Sequence, residues 1–315
     1  MSKQRYISKK FSAESMRLIE IADDILCEYT DQNLVVTVRQ LYYQFVARDL
    51  LPNTQKNYKR LADIVSDARM AGELDWDAIE DRGRVPATPP EWESIDSIVN
   101  VAMRQFRLPR LLRQKVYPEL WVEKQALAGV LEPVARQHHV TLMVNKGYSS
   151  ASAMRESAMR FRRNMERMER ATGNLPDALL LYLGDHDPSG EDMVRDIEKR
   201  LTLFGVDYLE VRKVALTMDQ IKQHKPPPNP AKSTDPRFKG YQEIHGDESW
   251  ELDALEPSLL QRLVQDDLRR ALSPSVAKAV IDEENRQRDE MKRAIDVARD
   301  RIGASKHDDE GDGDD

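Results

Sequence analysis

Two aspartates two residues apart, Asp185 and Asp187 in LYLGDHDPSGEDM (181–193), follow an apolar run and precede a Pro-Ser-Gly turn. At that spacing in a tight turn both carboxylates can look into one crevice. Paired hard oxygen donors suit Mg²⁺, which takes oxygen ligands in near-octahedral geometry and keeps several waters. Pro188-Ser189-Gly190 reads as the opening of a helix, and free N–H groups there, that of Gly190 included, would suit a phosphate. A polar loop in which Asp187 caps that helix accounts for the same residues. A third carboxylate tips the balance toward a cation site: Glu123 ends ELWVE, a stretch that reads as a strand. His186, between the aspartates, reads equally as a residue pointing into solvent or as a proton shuttle.

These acids need elements to position them, and the rhythm from residue 118 onward supplies them. ELWVE is a strand and KQALAGVLEPVARQH a helix; VTLMV is a strand and SSASAMRESAMRFRRNMERME a long helix. ALLLYLG is a fully apolar strand, PSGEDMVRDIEKRLTLFG a helix, and DYLEVRKVAL a last strand. Alternation of this kind predicts a parallel sheet covered on both faces. In such sheets ligands collect at the carboxyl ends of the strands, where Glu123, Asp185 and Asp187 fall. KPPPNPAKSTDPR (225–237) reads as a loop, SWELDALEPSLLQRLVQDDLRRAL as a short extended piece and a helix, and 275–303 as a charged helix with a thin apolar stripe.

The first third is helical. FSAESMRLIEIADDILCEY (11–29) carries apolar residues at helical spacing behind Ser12 as N-cap, with Cys27 as a small core residue. NLVVT (33–37) is short and β-branched, VRQLYYQFVARDL reads as a second helix, and NTQKNYKRLADIVSDARMAG (53–72) as a third, from an Asn or Thr cap to Gly72. LDWDAIEDRGRVPATPP then reads as a small strand pair or wing. Three helices and a wing predict a winged helix-turn-helix, whose third helix faces a nucleic-acid groove. Lys59, Arg60 and Arg69 on that helix, Arg82 and Arg84 in the wing, and Lys146 in NKGY are then candidate DNA contacts; solvated surface charge is the plainer reading of each. The expected fold is therefore α/β with mainly helical flanks: a winged-helix-like domain over 1–115, a parallel-sheet domain over 116–262, charged helices over 263–303 and a disordered acidic tail over 304–315.

Composition narrows the classes. A charged fraction of 33% with 40% apolar residues reads as soluble and globular. No run approaches the roughly 20 apolar residues that span a bilayer, and the basic start MSKQRYISKKF leads into no apolar segment of a signal peptide. One cysteine excludes a disulfide within the chain, so a cytoplasmic protein with no membrane partner is expected. The net charge of −7 is misleading, because HDDEGDGDD holds six acids and no lysine or arginine, which leaves a near-neutral body. RQFRLPRLLRQK (104–115), five bases and no acid, would either follow phosphates or turn its leucines to a core with the bases as a wet rim.

Taken together, a glutamate after a first strand and DxDPxG after a third resemble the Toprim domain of topoisomerases, primases and nucleases. NKGYSSAS (145–152) is similar to the glycine-tyrosine loop of the topoisomerase VI A subunit. VRQLYY (38–43) resembles the R-x-x-Y-Y motif of that subunit and of the meiotic double-strand-break transesterase, and SWELDALEP (249–257) resembles a block beyond the DxD. The four blocks stand in the family's order over roughly residues 33 to 260; each alone is weak.

The resemblance implies that Tyr43 attacks a DNA phosphodiester, that Arg39 steadies the phosphate, and that Glu123, Asp185 and Asp187 hold Mg²⁺. It implies double-stranded DNA as substrate, a homodimer in which one protomer's tyrosine works with the other's acids, and a separate ATPase subunit, of which this chain shows no trace. Tyr42 and Tyr43 have a plainer reading in which both are aromatic packing residues of an amphipathic helix; neighbours on a helix point about 100° apart, so one buried and the other free is the alternative. Hydrolysis by an activated water is the alternative chemistry, with Glu123 as part of a general base and Glu251 or Asp253 helping to hold a second cation. A non-catalytic DNA-binding or assembly protein is the third reading.

Overall fold

A computed structural model describes residues 3–79, 89–147 and 149–309, with side chains as far as 297. Three helices open the chain: α1 (Ala13–Thr30), α2 (Val38–Ala47) and α3 (Gln55–Ala71). Each starts where a hydroxyl can take an otherwise unpaired first-turn N–H. Ser12 accepts from Ser15, Thr37 and Gln40 form a reciprocal capping box, and Thr54 accepts from Asn57. Gly72 ends α3 in the left-handed region at φ 77°, and a Cβ there would meet that of Arg5 at 2.9 Å. The three helices bury one apolar cluster around Ile25, Leu41, Phe45, Leu61 and Val65.

The short β-branched NLVVT contributes one parallel bridge, Val36 to Ile79, before Thr37 caps α2. Some expectations for this segment need correction. Cys27 is exposed on α1 instead of buried. Arg69 does not present itself to a groove: its guanidinium stacks on Trp76 at 4.4 Å and donates to the Trp76 and Ile79 carbonyls. Residues 80–88, with Arg82, Arg84 and most of the expected wing, lie outside the described residues.

After α4 (Ile95–Gln105) the chain enters the alternating region. The strands β1 (Val116–Val122), β2 (Thr141–Val144), β3 (Asp177–Leu183) and β4 (Leu209–Ala215) form one all-parallel sheet in the order β2-β1-β3-β4. Between them run α5 (Ala128–His138), α6 (Ala151–Thr172) and α7 (Pro188–Leu203). The short helices α8 (Met218–His224) and α9 (Phe238–His245), and the two-residue strands β5 (Asn229–Pro230) and β6 (Glu248–Ser249), follow β4. Both α9 and β5 lie in or next to a stretch that reads as plain loop in the sequence. The chain ends with α10 (Pro257–Ala271) and α11 (Pro274–Asp309), so helix continues six residues beyond the expected 303; residues 310–315 lie outside the described residues. Among the described residues no helix is long and apolar enough to cross a membrane.

Alternate strand residues feed two separate cores, as a doubly covered sheet requires. Leu120, Val122, Leu179, Leu181 and Leu183 pack with residues of α5 and α10. Tyr117, Trp121, Leu180 and Tyr182 pack on the other face with residues of α6 and α7. Leu111 and Leu112 join that second face, while Arg107 and Arg110 pair with the buried Glu284 of α11, so the basic segment 104–115 is a core edge with a charged rim. Within the second core lies a fully buried carboxylate, Glu119. It accepts from Tyr117 Oη and Trp121 Nε1 at 3.0 Å each, and from Arg160 Nε and Nη2 at 2.8 Å each. Removing one member of such a pair strands an uncompensated charge. Arg160→Met is expected to cost about 3–5 kcal/mol, read as a lowered urea midpoint at unchanged slope; an unmoved midpoint refutes this account.

Candidate active site

The sheet places β1 beside β3, and the connections leave them in opposite directions, β1 to β2 and β3 to β4. That is a topological switch point, where diverging loops open a crevice at the strands' carboxyl ends. Glu123 follows β1 directly; its N–H donates to Leu183 O at 2.9 Å, and its Oε2 accepts from the Asp185 N–H at 3.1 Å. Tyr182, last but one in β3, points its hydroxyl at the same oxygen at 3.4 Å. The loop after β2 is tied in as well, since Asn145 N–H donates to Val122 O and Lys146 N–H to Glu123 O. Tyr148 of that loop lies outside the described residues.

Asp187 caps α7: its Oδ1 accepts from Gly190 N–H at 2.6 Å and from Ser189 Oγ at 2.9 Å, leaving Oδ2 for another partner. The Gly190 N–H is thus taken by the cap and is not a free phosphate donor. Glycine is needed there for a different reason: a Cβ would come within 2.2 Å of Asp185 O. The turn closes so tightly that no side chain fits.

Asp185 is the hub. Its Oδ1 accepts from Leu252 N–H at 2.8 Å and lies 3.0 Å from Lys124 Nζ. Burial pushes its carboxyl up to about 7, with Lys124 opposing and Glu123 and Asp253 adding to the shift. Lys124, to which the sequence drew no attention, sets its ammonium among three carboxylates: Asp253 Oδ1 at 2.6 Å, Glu251 Oε2 at 2.8 Å and Asp185 Oδ1. Burial works against its charge, but the three acids outweigh burial and raise its pKa. The only sequence signal for it was adjacency to Glu123.

Glu251 and Asp253 reach the crevice on a 3-10 turn (Leu252–Ala254), held by paired N–H···O bonds of 2.9 Å between His186 and Trp250. They connect the crevice to α2. Arg39 Nη2 lies 3.2 and 3.1 Å from the two Glu251 oxygens, and its Nε lies 3.6 Å from Asp253 Oδ2. The Tyr43 hydroxyl faces Glu251 and Arg39, and burial first, then Glu251 and Asp253, hold its pKa above the ordinary phenol value. Burial also opposes the charge on Glu251, but Lys124, Arg39 and Tyr43 keep its pKa low.

Tyr42 and Tyr43 are both buried, as their reading as packing residues has it, and neither is free. Tyr42 is purely architectural: its hydroxyl donates to the Pro52 or Thr54 carbonyl and accepts from Thr54 N–H at 2.8 Å. His186 is buried too and does not point into solvent. Burial drives its pKa down to about 4, and its Nδ1 lies 2.9 Å from Tyr241 Oη. Lys59 and Lys146 have exposed side chains, and exposed Arg60 pairs with Glu14 at 2.7 Å.

Asp185, Glu251 and Asp253 gather around Lys124, with Glu123 on the Asp185 N–H, the half-exposed Arg39 on Glu251 and Asp253, and Lys213 Nζ on the Asp185 carbonyl. Among the described residues no three of these carboxylates bring oxygens within 4.8 Å of one another, so a cation would have to draw them closer. Asp253 Oδ2 is buried without a hydrogen-bond partner, with Arg39 Nε 3.6 Å away, and burial, ahead of any neighbouring charge, raises the Asp185 pKa. Both are costs of withdrawing carboxylates from water. No protein-family model matches the chain, and no curated protein matches it.

A cation on Asp185 must displace the proton that a pKa of about 7 retains. A carboxyl with a raised folded pKa loses native stability as pH climbs from its unfolded value of 3.8 to about 7, because the ionised form is the costly one. Binding of Mg²⁺ offsets that cost only once the proton is gone. The rise in Tm on adding Mg²⁺ is therefore expected to be larger at pH 8 than at pH 6, and this pH dependence should vanish in Asp185→Asn; a rise independent of pH in the wild type contradicts the assignment.

Proposed function

We propose that this chain cleaves double-stranded DNA by tyrosine transesterification at a Mg²⁺ site, in the manner of the topoisomerase VI A subunit that its motifs resemble. The observation that supports the reading best is the meeting of its parts in a single chain. Arg39 and Tyr43 on α2 abut Glu251 and Asp253, which share Lys124 with Asp185 beside Glu123.

The chain's own groups account for the proton and the charge. A phenol must lose its proton to attack phosphorus, and Glu251, kept ionised by Lys124 and Arg39, faces the Tyr43 hydroxyl as a base. Attack forms the Tyr43 Oη–P bond and breaks a P–O bond to deoxyribose, whose oxygen leaves with a proton. Arg39, a planar fork, suits two phosphate oxygens once it releases Glu251. Glu123, Asp185 and the Oδ2 of Asp187 would hold the cation, which supplies charge neutralisation at the scissile phosphate. Exposed Lys59 and Lys146 suit the duplex backbone. A homodimer and a partner ATPase belong to the same reading, but here Tyr43 already meets Glu251 of its own chain, so this arrangement departs from the family's pairing of one protomer's tyrosine with the other's acids.

Hydrolysis by water is favoured by one observation, the burial of Tyr43 with its raised pKa. In that chemistry Tyr43 positions Glu251. The test is incubation of plasmid with purified protein and Mg²⁺, stopped with detergent. Covalent protein–DNA adduct is expected from the wild type, with a loss of at least about a thousandfold in Tyr43→Phe and in Asp185→Ala. Cutting without adduct in Tyr43→Phe would replace transesterification with hydrolysis. DNA binding that ignores Mg²⁺ and survives Asp185→Ala, with no cutting by any form, leaves a binding protein.

A further inference from the structure

A second group of ligand-type side chains lies behind the acidic turn. His186 sits in the turn itself, Glu191 in the first turn of α7 and His245 in the last turn of α9. Their donor atoms all lie within 4.8 Å of one another, and His186 Nε2 is 3.6 Å from Glu191 Oε1. We propose that His186, Glu191 and His245 bind a transition-metal ion of the Zn²⁺ class, at a site separate from the oxygen-only crevice.

Hydrogen bonding around His186 decides which nitrogen is available. Tyr241 Oη has one proton, and two main-chain carbonyls compete for it, Glu248 O at 2.9 Å and His186 O at 3.1 Å. The 2.9 Å contact between Tyr241 Oη and His186 Nδ1 must then be a bond donated by Nδ1–H. The lone pair is left on Nε2, 3.6 Å from Glu191 Oε1. Two acceptors at that distance favour a cation between them, a demand that Lys213 meets only from the Glu191 side. A histidine whose far nitrogen donates to a fixed oxygen is also the usual form of a metal-bound histidine.

The remaining geometry is close to what such an ion needs. Tetrahedral Zn²⁺ with bonds of about 2.0–2.2 Å places its ligand atoms roughly 3.4 Å apart. The His186–Glu191 separation is already near that value. The His186 and His245 rings lie 4.7 Å apart and nearly perpendicular, and neither Glu191 nor His245 is fully buried, so side-chain rotation can close the rest. Two imidazoles and one carboxylate select Zn²⁺, Co²⁺ or Ni²⁺ over Mg²⁺, and a fourth position is left to water. Lys213 is the competitor: its ammonium bonds the same Glu191 oxygen and also Asp185 O at 3.1 Å. The ion must share or take that oxygen. Once bound, it would fasten α9 to the residue between Asp185 and Asp187, so its role is to hold the turn in place.

The full-length chain, stripped of metal with a chelator, is titrated with Co²⁺ and the visible d–d absorption is recorded. A single bound ion is expected, displaced by Zn²⁺ but not by excess Mg²⁺. His245→Ala and Glu191→Gln should abolish the bands, and Tyr241→Phe, which keeps every ligand, should weaken binding about 10–100-fold. Lys213→Met should tighten it, and Asp185→Asn should leave it unchanged. Circular dichroism checks each variant; if His245→Ala does not fold, Glu191→Gln, a change at an exposed position, decides the outcome. Absence of Co²⁺ bands from the folded wild type overturns the proposal and leaves the group as packed aromatic rings. Binding that survives Glu191→Gln but is lost in Asp185→Asn also overturns it, since the ion then sits in the acidic crevice.

Discussion

Everything at the carboxyl end of the sheet is arranged around one electrostatic problem, an excess of carboxylates withdrawn from water. Asp185 and Asp253 are each nearly buried and neighbour Glu123 and Glu251. Desolvating an isolated carboxylate costs several kcal/mol, so such groups persist only where a counter-charge or proton compensates them. Lys124 provides the counter-charge, and its three short contacts explain why the 3-10 turn at Leu252–Ala254 folds back over the strand ends. Asp185 takes the other route and holds its proton to an unusually high pH. Arg39 adds a second counter-charge, yet the buried Asp253 Oδ2, 3.6 Å from Arg39 Nε, is left without a hydrogen bond.

The same charges join the helical first third of the chain to the sheet. The apolar cluster of α1, α2 and α3 is separate from the two cores of the sheet, and several polar contacts link them. Arg39 reaches Glu251 and Asp253, Tyr29 donates to Glu256 at 2.8 Å, and Asn53 donates to Asn229 at 2.8 Å. Partly exposed ion pairs contribute little net stability, typically about 1 kcal/mol or less. Opening the contact between α2 and the crevice therefore costs far less than opening any of the three cores. That difference matters for the proposed chemistry, because Tyr43 is buried by this polar contact and lies outside the apolar cluster that encloses Tyr42.

Legibility in the sequence followed the reach of each physical signal. Strand and helix periodicity is local, and the four strands of the parallel sheet, the longer helices beside them, the first three helices and the Gly72 stop were readable from runs of about ten residues, whereas α4, α8 and α9 were not. The convergence of Glu123 with Asp185 was readable because parallel sheets put successive strand ends on one side. Lys124 was not, since its partners lie 61 to 129 residues away and its direction depends on how the chain bends after β1. Arg69 misled for a related reason. A basic residue on a helix reads as a surface charge, and only the fold reveals two carbonyls and an indole beneath its guanidinium. Adjacency alone could not decide the tyrosine pair, because whether both are buried depends on α2 being covered on two sides, by its own bundle and by the turn carrying Glu251 and Asp253. Helix α9 was missed because its eight residues follow a proline-rich stretch and carry little periodic signal.

The two sequence readings of the DxD turn, cation ligand or helix cap, prove to be compatible. A carboxylate has two oxygens, and Asp187 spends only Oδ1 on the cap. The cap bonds fix the direction of the other oxygen, much as a second shell fixes a metal ligand. Asp185 is positioned by different means, through its own N–H to Glu123, its carbonyl to Lys213 and its carboxylate to the Leu252 N–H. Gly190 permits the closure, because only a residue without a Cβ lets the first turn of α7 approach Asp185 O. Capping is thus part of what holds the turn rigid, and it leaves Asp187 Oδ2 outside the cap bonds.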